Sequence, residues 1–238
     1  EVTVIASELA FPEGPISLPD GSIVLVEIKT GRLTRVRDGD KETIAELGGG
    51  PNGAAIGPDG YCYVCNNGGF EWIERNGKTY PGEQPASYAG GSIQKVDLQS
   101  GEFSTLYTHC DGEALKGPND IVFDAQGGFW FTDHGKNRAR DKDRTGVFYA
   151  LPDGSQITEA IFPLEAPNGI GLSPDEQELF VAETPTGRLW AYPLAGPGVI
   201  DADKPRRLVN GRQGFFMFDS LAVDANGDVC VATLVDGG

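Results

Sequence analysis

The stretch Ala166-Pro167-Asn168-Gly169-Ile170-Gly171-Leu172-Ser173-Pro174-Asp175 recurs in altered form at four other places, and this repetition constrains the 238-residue chain more than any local pattern does. The related segments are FPEGPISLPDG around Glu13, GPNGAAIGPDG around Asn52, GPNDIVFDAQG around Asn119 and MFDSLAVDANG around Asp219. Each has a polar anchor, an apolar run, and a turn signal centred seven residues on, at Asp20, Asp59, Gln126, Asp175 and Asn226. A β-rich run follows each turn: SIVLVE (22–27), YCYVCN (61–66), GFWFTD (128–133), ELFVAE (178–183) and DVCVAT (228–233). Each repeat therefore reads as a β-hairpin. Glu27, Asn66, Asp133 and Thr233 lie seven residues past their turn centres and should meet the anchors at the open ends of the hairpins. In the fourth repeat DEQEL lengthens the turn and puts Glu183 near that end.

Further strand pairs follow four of the hairpins: 31–39 with 41–47, 91–101 with 102–108, 145–154 with 155–162, and 187–194 with 206–211. The expected fold is all-β, a β-propeller of four-stranded blades forming one domain over residues 1–238. Residues 1–9 read as an isolated strand that would complete the last blade and seal the circle. The second interval between anchors is long and contains GGFEWIERNGKTYPGEQPASYAGG. It reads as an insertion overhanging the anchored mouth, either a substrate wall carrying Phe70, Trp72, Tyr80 and Tyr88 or a packed surface loop. HGKNRARDKDR (134–144) reads as a solvated charged loop at the same mouth. The chain stops soon after the fifth hairpin, so a chain truncated in or after blade five, with its C-terminal blade or blades missing, is expected.

With the anchored strands innermost, Glu13, Asn52, Asn119, Asn168 and Asp219 form a ring at one mouth of a central channel. One Asn, Asp or Glu after Pro is an ordinary turn residue. A turn would take Ser or Gly as readily, and none of the five anchors is either. Carboxylate and amide oxygens are hard donors of the kind Ca²⁺ prefers and Mg²⁺ or Mn²⁺ accept. Glu13 and Asp219 would neutralise one divalent ion, with Asn119 and Asn168 adding oxygens without charge. Such an ion polarises a carbonyl or phosphoryl oxygen, and a nearby carboxylate then serves as general base or nucleophile. Asp219 is the candidate. Asn52, Asp133 and His134 stand at the same mouth as candidate substrate contacts, His134 also as a proton shuttle or as a hydrogen-bonded structural residue.

The 35 acidic and 19 basic residues give a formal net charge of −16, which argues against nucleic acid and anionic membrane surfaces as partners and for a bound cation. No apolar run approaches the roughly 18 residues of a membrane-spanning helix. Cys62 and Cys65 on one strand point to opposite faces and so do not share a metal. Cys110 and Cys230 complete a set read as reduced and mostly buried thiols, favouring the cytoplasm. The start at Glu1 rather than Met leaves room for a removed leader and hence for secretion.

Through FPEGP around Glu13, GPND around Asn119, APNG around Asn168 and FDSLAVD around Asp219, the chain resembles the SMP-30/gluconolactonase/regucalcin-like family of six-bladed propellers, over essentially its whole length. The resemblance implies a divalent metal held by Glu13, Asn168 and Asp219, with Ca²⁺ favoured and Zn²⁺, Mn²⁺ and Mg²⁺ as alternatives. Asn119 is then a further ligand or substrate contact, and the reaction is hydrolysis of a lactone with Asp219 near the reacting water. Related calcium propellers that cleave phosphotriesters, and non-catalytic NHL-like propellers that bind a ligand or protein, are the alternatives. Where sugar-lactone members carry Arg, two residues before the GPND Asn, this chain has Gly117, with Lys116 beside it.

Overall fold

Turn chemistry closes each repeat. An aspartate after the first strand turns its carboxylate onto the backbone two residues on. Asp20 Oδ1 accepts the Ser22 N–H at 3.0 Å, Asp124 Oδ1 that of Gln126 at 3.0 Å, and Asp224 Oδ1 that of Asn226 at 2.8 Å. Gly21, Gly60, Gly127 and Gly227 then take the positive φ that brings the chain back.

The computed structural model describes residues 3–211 and 214–235, all strand, turn or irregular chain without a helix. The strands gather into successive antiparallel sheets. Blade one comprises Pro12–Ser17, Ile23–Glu27, Arg32–Arg37 and Asp40–Glu46 in sequential order. Blade two comprises Pro51–Ile56, Cys62–Asn66, Ser92–Val96 and Phe103–Tyr107. Blade three comprises Pro118–Phe123, Phe129–Asp133, Thr145–Ala150 and Ile157–Leu164. Blade four comprises Pro167–Leu172, Glu178–Glu183, Arg188–Gly196 and Arg207–Gly211, with Val199–Ile200 folded back on its third strand. The fifth sheet is the hairpin Phe218–Val223 and Val229–Thr233. The first strands of successive blades lie side by side, so the anchored strands are the inner ones of a β-propeller.

The core lies between blades, as alternation along strands requires. Val24, Val26, Leu33, Cys62 and Val64 fill the first interface, and Cys65, Ile93, Ile121, Phe129 and Phe131 the second. Cys62 and Cys65 thus pack in different layers, as their odd separation predicts. Trp130, Val147, Ile170, Leu179 and Val181 fill the third interface, and Phe180, Ala182, Leu189 and Phe218 the fourth. Each such Val, Leu, Ile or Phe side chain contributes roughly 1.5–3 kcal/mol by leaving water.

Two features repeat at the anchored end. The ladder between first and second strand slips in every blade, between Glu13 and Ile16, Pro51 and Ala54, Pro118 and Ile121, Pro167 and Ile170, and Phe218 and Leu221. Each anchor therefore sits in or beside a bulge, which turns its backbone toward the neighbouring blade. The carbonyl two residues before each anchor is also closed by an N–H from the hairpin end: Ile28 to Phe11, Asn67 to Gly50, His134 to Gly117, Thr184 to Ala166, and Leu234 to Met217, at 2.8–3.2 Å.

Of the strand expected over residues 1–9, the described residues 3–9 form none. Residues 3–9 pair with no sheet, and Val4 and Ile5 are exposed. Glu1 and Val2 lie outside the described residues. Local β propensity alone does not make a strand, and this stretch is instead held by Lys41 Nζ on the carbonyls of Ser7 and Glu8 and by the Phe11 N–H on Leu9 O.

The long insertion carries a small hairpin, Trp72–Arg75 with Lys78–Pro81, between the second and third strands of blade two. Trp72 packs on Phe11 of blade one at 5.0 Å between ring centroids, and Lys29 reaches Glu74 at 2.7 Å. On the other side Tyr88 Oη donates to Lys116 O at 2.5 Å, and the Gln84 N–H donates to Asn137 O at 2.9 Å. The insertion is thereby strapped across blades one to three. The 134–144 segment is less solvated than its charges suggest. Lys136 is only 1% exposed, its Nζ donating to Gly69 O at 2.6 Å and Asn67 Oδ1 at 3.1 Å and lying 4.1 Å from the centre of the Phe70 ring. Burial lowers its pKa to about 7.

Candidate metal and substrate site

The bulged inner strands bring several anchors together. Asn168 Nδ2 donates to Asp219 Oδ1 at 2.7 Å and to Thr184 Oγ1 at 3.2 Å. Glu13 feels the Asp219 charge. Burial first, then Asp219 and to a lesser degree Asp120, raises the Glu13 carboxyl from 4.5 to about 7, although the Gly14 N–H donates to its Oε2. Burial also raises Asp219, against the hydrogen bond from Asn168. Asn119 is buried, and its Oδ1 has no hydrogen-bond partner among the described residues. Asn52 is buried beside the Gly14 backbone of blade one, its carbonyl oxygen 2.9 Å from where a Cβ on Gly14 would stand.

Asp133 and its counterparts do a different job. Asp133 Oδ2 accepts the Lys116 N–H at 2.7 Å, and Oδ1 accepts those of Gly117 at 2.7 Å and Gly135 at 2.9 Å. Glu27 takes the Ala10 N–H, Asn66 that of Gly50 and Glu183 that of Glu165. These hairpin-end groups tie down the loops leading into the first four anchored strands. Burial raises Asp133 even with three donors around it. His134 closes the blade-three repeat through its backbone, and burial holds its ring neutral down to about pH 4.

Asp120, next to Asn119, is a site residue that sequence reasoning passed over. Burial raises its carboxyl to about 7 against hydrogen bonds from the Ile121 and Ile170 N–H groups, with Asp219 adding to the rise. A signal for it exists: the position after the anchor is Gly14, Gly53 and Gly169 in three repeats, and an acid there breaks the pattern. From these positions toward the turns runs a channel of about 800 Å³, lined by Asp120, Phe123, Leu172, Leu221 and Val223 among others.

The donor set suits a hard cation. Two carboxyls raised by burial, one of them further by the charge of the other, and a buried amide oxygen without a partner among the described residues are what a divalent ion would satisfy. Among the described residues no three His, Cys, Asp or Glu side chains group as metal ligands, so a cation here would need the amides as well as the acids.

Successive antiparallel blades with their anchored strands innermost, and Asn168 bonded to Asp219 within electrostatic reach of Glu13, define a β-propeller with a candidate hard-ion site. Residues 11–238 match the SMP-30/Gluconolactonase/LRE-like region, and the chain belongs to that family. It is 29% identical over 228 residues to the lactonase drp35 of Staphylococcus haemolyticus, an alignment spanning 94% of this chain and 64% of that protein. This chain thus spans just under two thirds of that relative's length. Among solved structures it resembles a gluconolactonase from Xanthomonas campestris, with a TM-score of 0.72 and 23% identity over 94% of this chain and 73% of that one. It also resembles regucalcin, a calcium-binding protein from Agrobacterium tumefaciens, with a TM-score of 0.69 and 18% identity over 95% of this chain and 68% of that one. These two likenesses are likenesses of fold.

Proposed function

We propose that the chain carries the working mouth of a divalent-metal-dependent hydrolase, a lactonase that opens a lactone or sugar-lactone ring by attack of water. One observation carries this reading: at a mouth where Glu13 and Asp219 are both half-buried, the Asp219 charge makes ionisation of Glu13 costlier, and the buried Asn119 Oδ1 has no hydrogen-bond partner among the described residues. Glu13, Asn168, Asp219 and Asn119 would hold the ion, Ca²⁺ by preference for an all-oxygen set. When bound, the ion would polarise the lactone carbonyl. Asp219 would take the proton of the attacking water, a role suited to a carboxyl raised by burial. Asn52 and His134 would contact the substrate, His134 as a neutral ring. Asp133 would act on the substrate indirectly, by fixing the loop before Asn119. Kinship with the staphylococcal lactonase supports the reaction class. The four free thiols, three of them buried, support a reducing, cytoplasmic setting.

The test is acid release from a panel of lactones. Turnover should be abolished by chelator, restored by Ca²⁺, Mn²⁺ or Zn²⁺, and lost in Asp219→Asn with the melting temperature preserved. Turnover that survives exhaustive chelation, or full activity in Asp219→Asn, would refute the assignment. Turnover of a phosphotriester but of no lactone would replace the lactonase reading.

A further inference from the structure

Asn168 is held from the front by its side chain and from behind by its backbone, and the rear hold comes from blade three. Thr132, fully buried on the second strand of that blade, donates its hydroxyl proton to Asn168 O at 2.6 Å. The same hydroxyl oxygen accepts the Asp120 N–H at 3.1 Å. Asp120 Oδ2 in turn accepts the Ile170 N–H at 3.2 Å, two residues beyond Asn168. Between these two attachments the ladder of blade four slips, Pro167 pairing with Glu183 and Ile170 with Val181. A bulged segment is free to pivot, and here both its carbonyl side and its N–H side are fixed from the neighbouring blade.

This arrangement is confined to one of the blade interfaces. The residues at the Thr132 position of the other repeats are Val26, Cys65, Ala182 and Ala232, and those at the Asp120 position are Gly14, Gly53, Gly169 and Ser220. In blade two the thiol of Cys65 makes a long contact to Asp120 O at 3.7 Å. A hydroxyl paired with a carboxylate occurs only behind Asn168, whose side chain faces Asp219.

We propose that Thr132 and Asp120 are positioning residues that fix Asn168 so that its amide meets a divalent ion together with Asp219. The inference rests on the functional reading above, because it presumes that Asn168 is a ligand. Groups that orient ligands from outside the coordination sphere are typically worth about 10- to 100-fold in metal affinity.

The experiment is calcium titration calorimetry on the wild type, Thr132→Val and Thr132→Ser, with melting temperatures recorded alongside. Thr132→Val keeps the shape and removes the donor, and is expected to weaken calcium binding about 10-fold or more. Thr132→Ser restores the donor and should bind as the wild type does. Should Thr132→Val not fold, Thr132→Cys takes its place, since a cysteine already stands at this position in blade two; its weaker donor should lower affinity in the same direction. Calcium binding by Thr132→Val equal to wild type, with only the melting temperature moved, overturns the positioning role and leaves the functional reading standing. A wild type that binds no calcium overturns both.

Discussion

If Glu13 is a cation ligand, calcium affinity must depend on pH in a way fixed by its environment. Burial and the Asp219 charge raise this carboxyl from 4.5 to about 7 in the metal-free fold. At about 1.4 kcal/mol per pH unit, ionising it costs roughly 3 kcal/mol more than in the unfolded chain. Between those two values the folded protein therefore holds a proton that the unfolded chain has lost. For the metal-free protein this contribution to stability is fully present below about pH 4.5, is lost as pH rises toward 7, and changes no further above that. Calcium must displace the same proton. Affinity should accordingly fall about 25-fold from pH 7.5 to pH 5.5, with about one proton released per ion at the lower pH and about 0.2 at the higher. Protonation of Asp219 and Asp120, both also raised, can only steepen the fall. Calorimetry at pH 5.5, 6.5 and 7.5 in two buffers of different ionisation enthalpy reads both quantities. Glu13→Gln should bind weakly and with a flatter profile. Wild-type affinity that is level across the three pH values, without proton release, would refute the reasoning.

Two further predictions concern the scaffold. Asp133→Ala strips the acceptor from three backbone N–H groups, and should cost about 3–5 kcal/mol in urea denaturation; a loss under about 1 kcal/mol would mean that Asp133 does not anchor its loop. A Cβ on Gly53 would stand 2.3 Å from Asn119 O and 2.7 Å from Asp120 Cα, so Gly53→Ala should destabilise by about 3 kcal/mol or more. Gly60→Ala, which meets nothing and bears only the strain of its positive φ, should cost about 1 kcal/mol and serves as the control.

The blades were legible because turn chemistry is local. Asp20, Asp124 and Asp224 close their turns with bonds spanning two residues, a scale on which sequence spacing is informative. The convergence of Asn168 with Asp219 followed from counting repeats, although the two are 51 residues apart. What spacing did not show is which polar groups at the mouth are already engaged. Asp133 and Asp219 both end or begin strands and look alike in the sequence. Only the fold reveals that one carboxylate is taken up by backbone donors while the other is bonded to the Asn168 amide and acts on Glu13 through its charge. Burial of Lys136 inside the charged 134–144 segment escapes sequence reading for the same reason, since the aromatic and carbonyl groups around it come from a segment more than 60 residues earlier. The stretch at residues 3–9 shows the converse error: strand composition alone, without pairing to a neighbouring strand, makes no strand.

Anomalous diffraction from crystals soaked in Mn²⁺, followed by a calcium data set, would locate the proposed ion directly. The account predicts one site, with oxygens of Glu13, Asn168, Asp219 and Asn119 among its ligands at about 2.3–2.6 Å for calcium. An ion bound elsewhere, or a mouth in which Asp219 remains bonded to Asn168 and excludes the ion at saturating calcium, would contradict it.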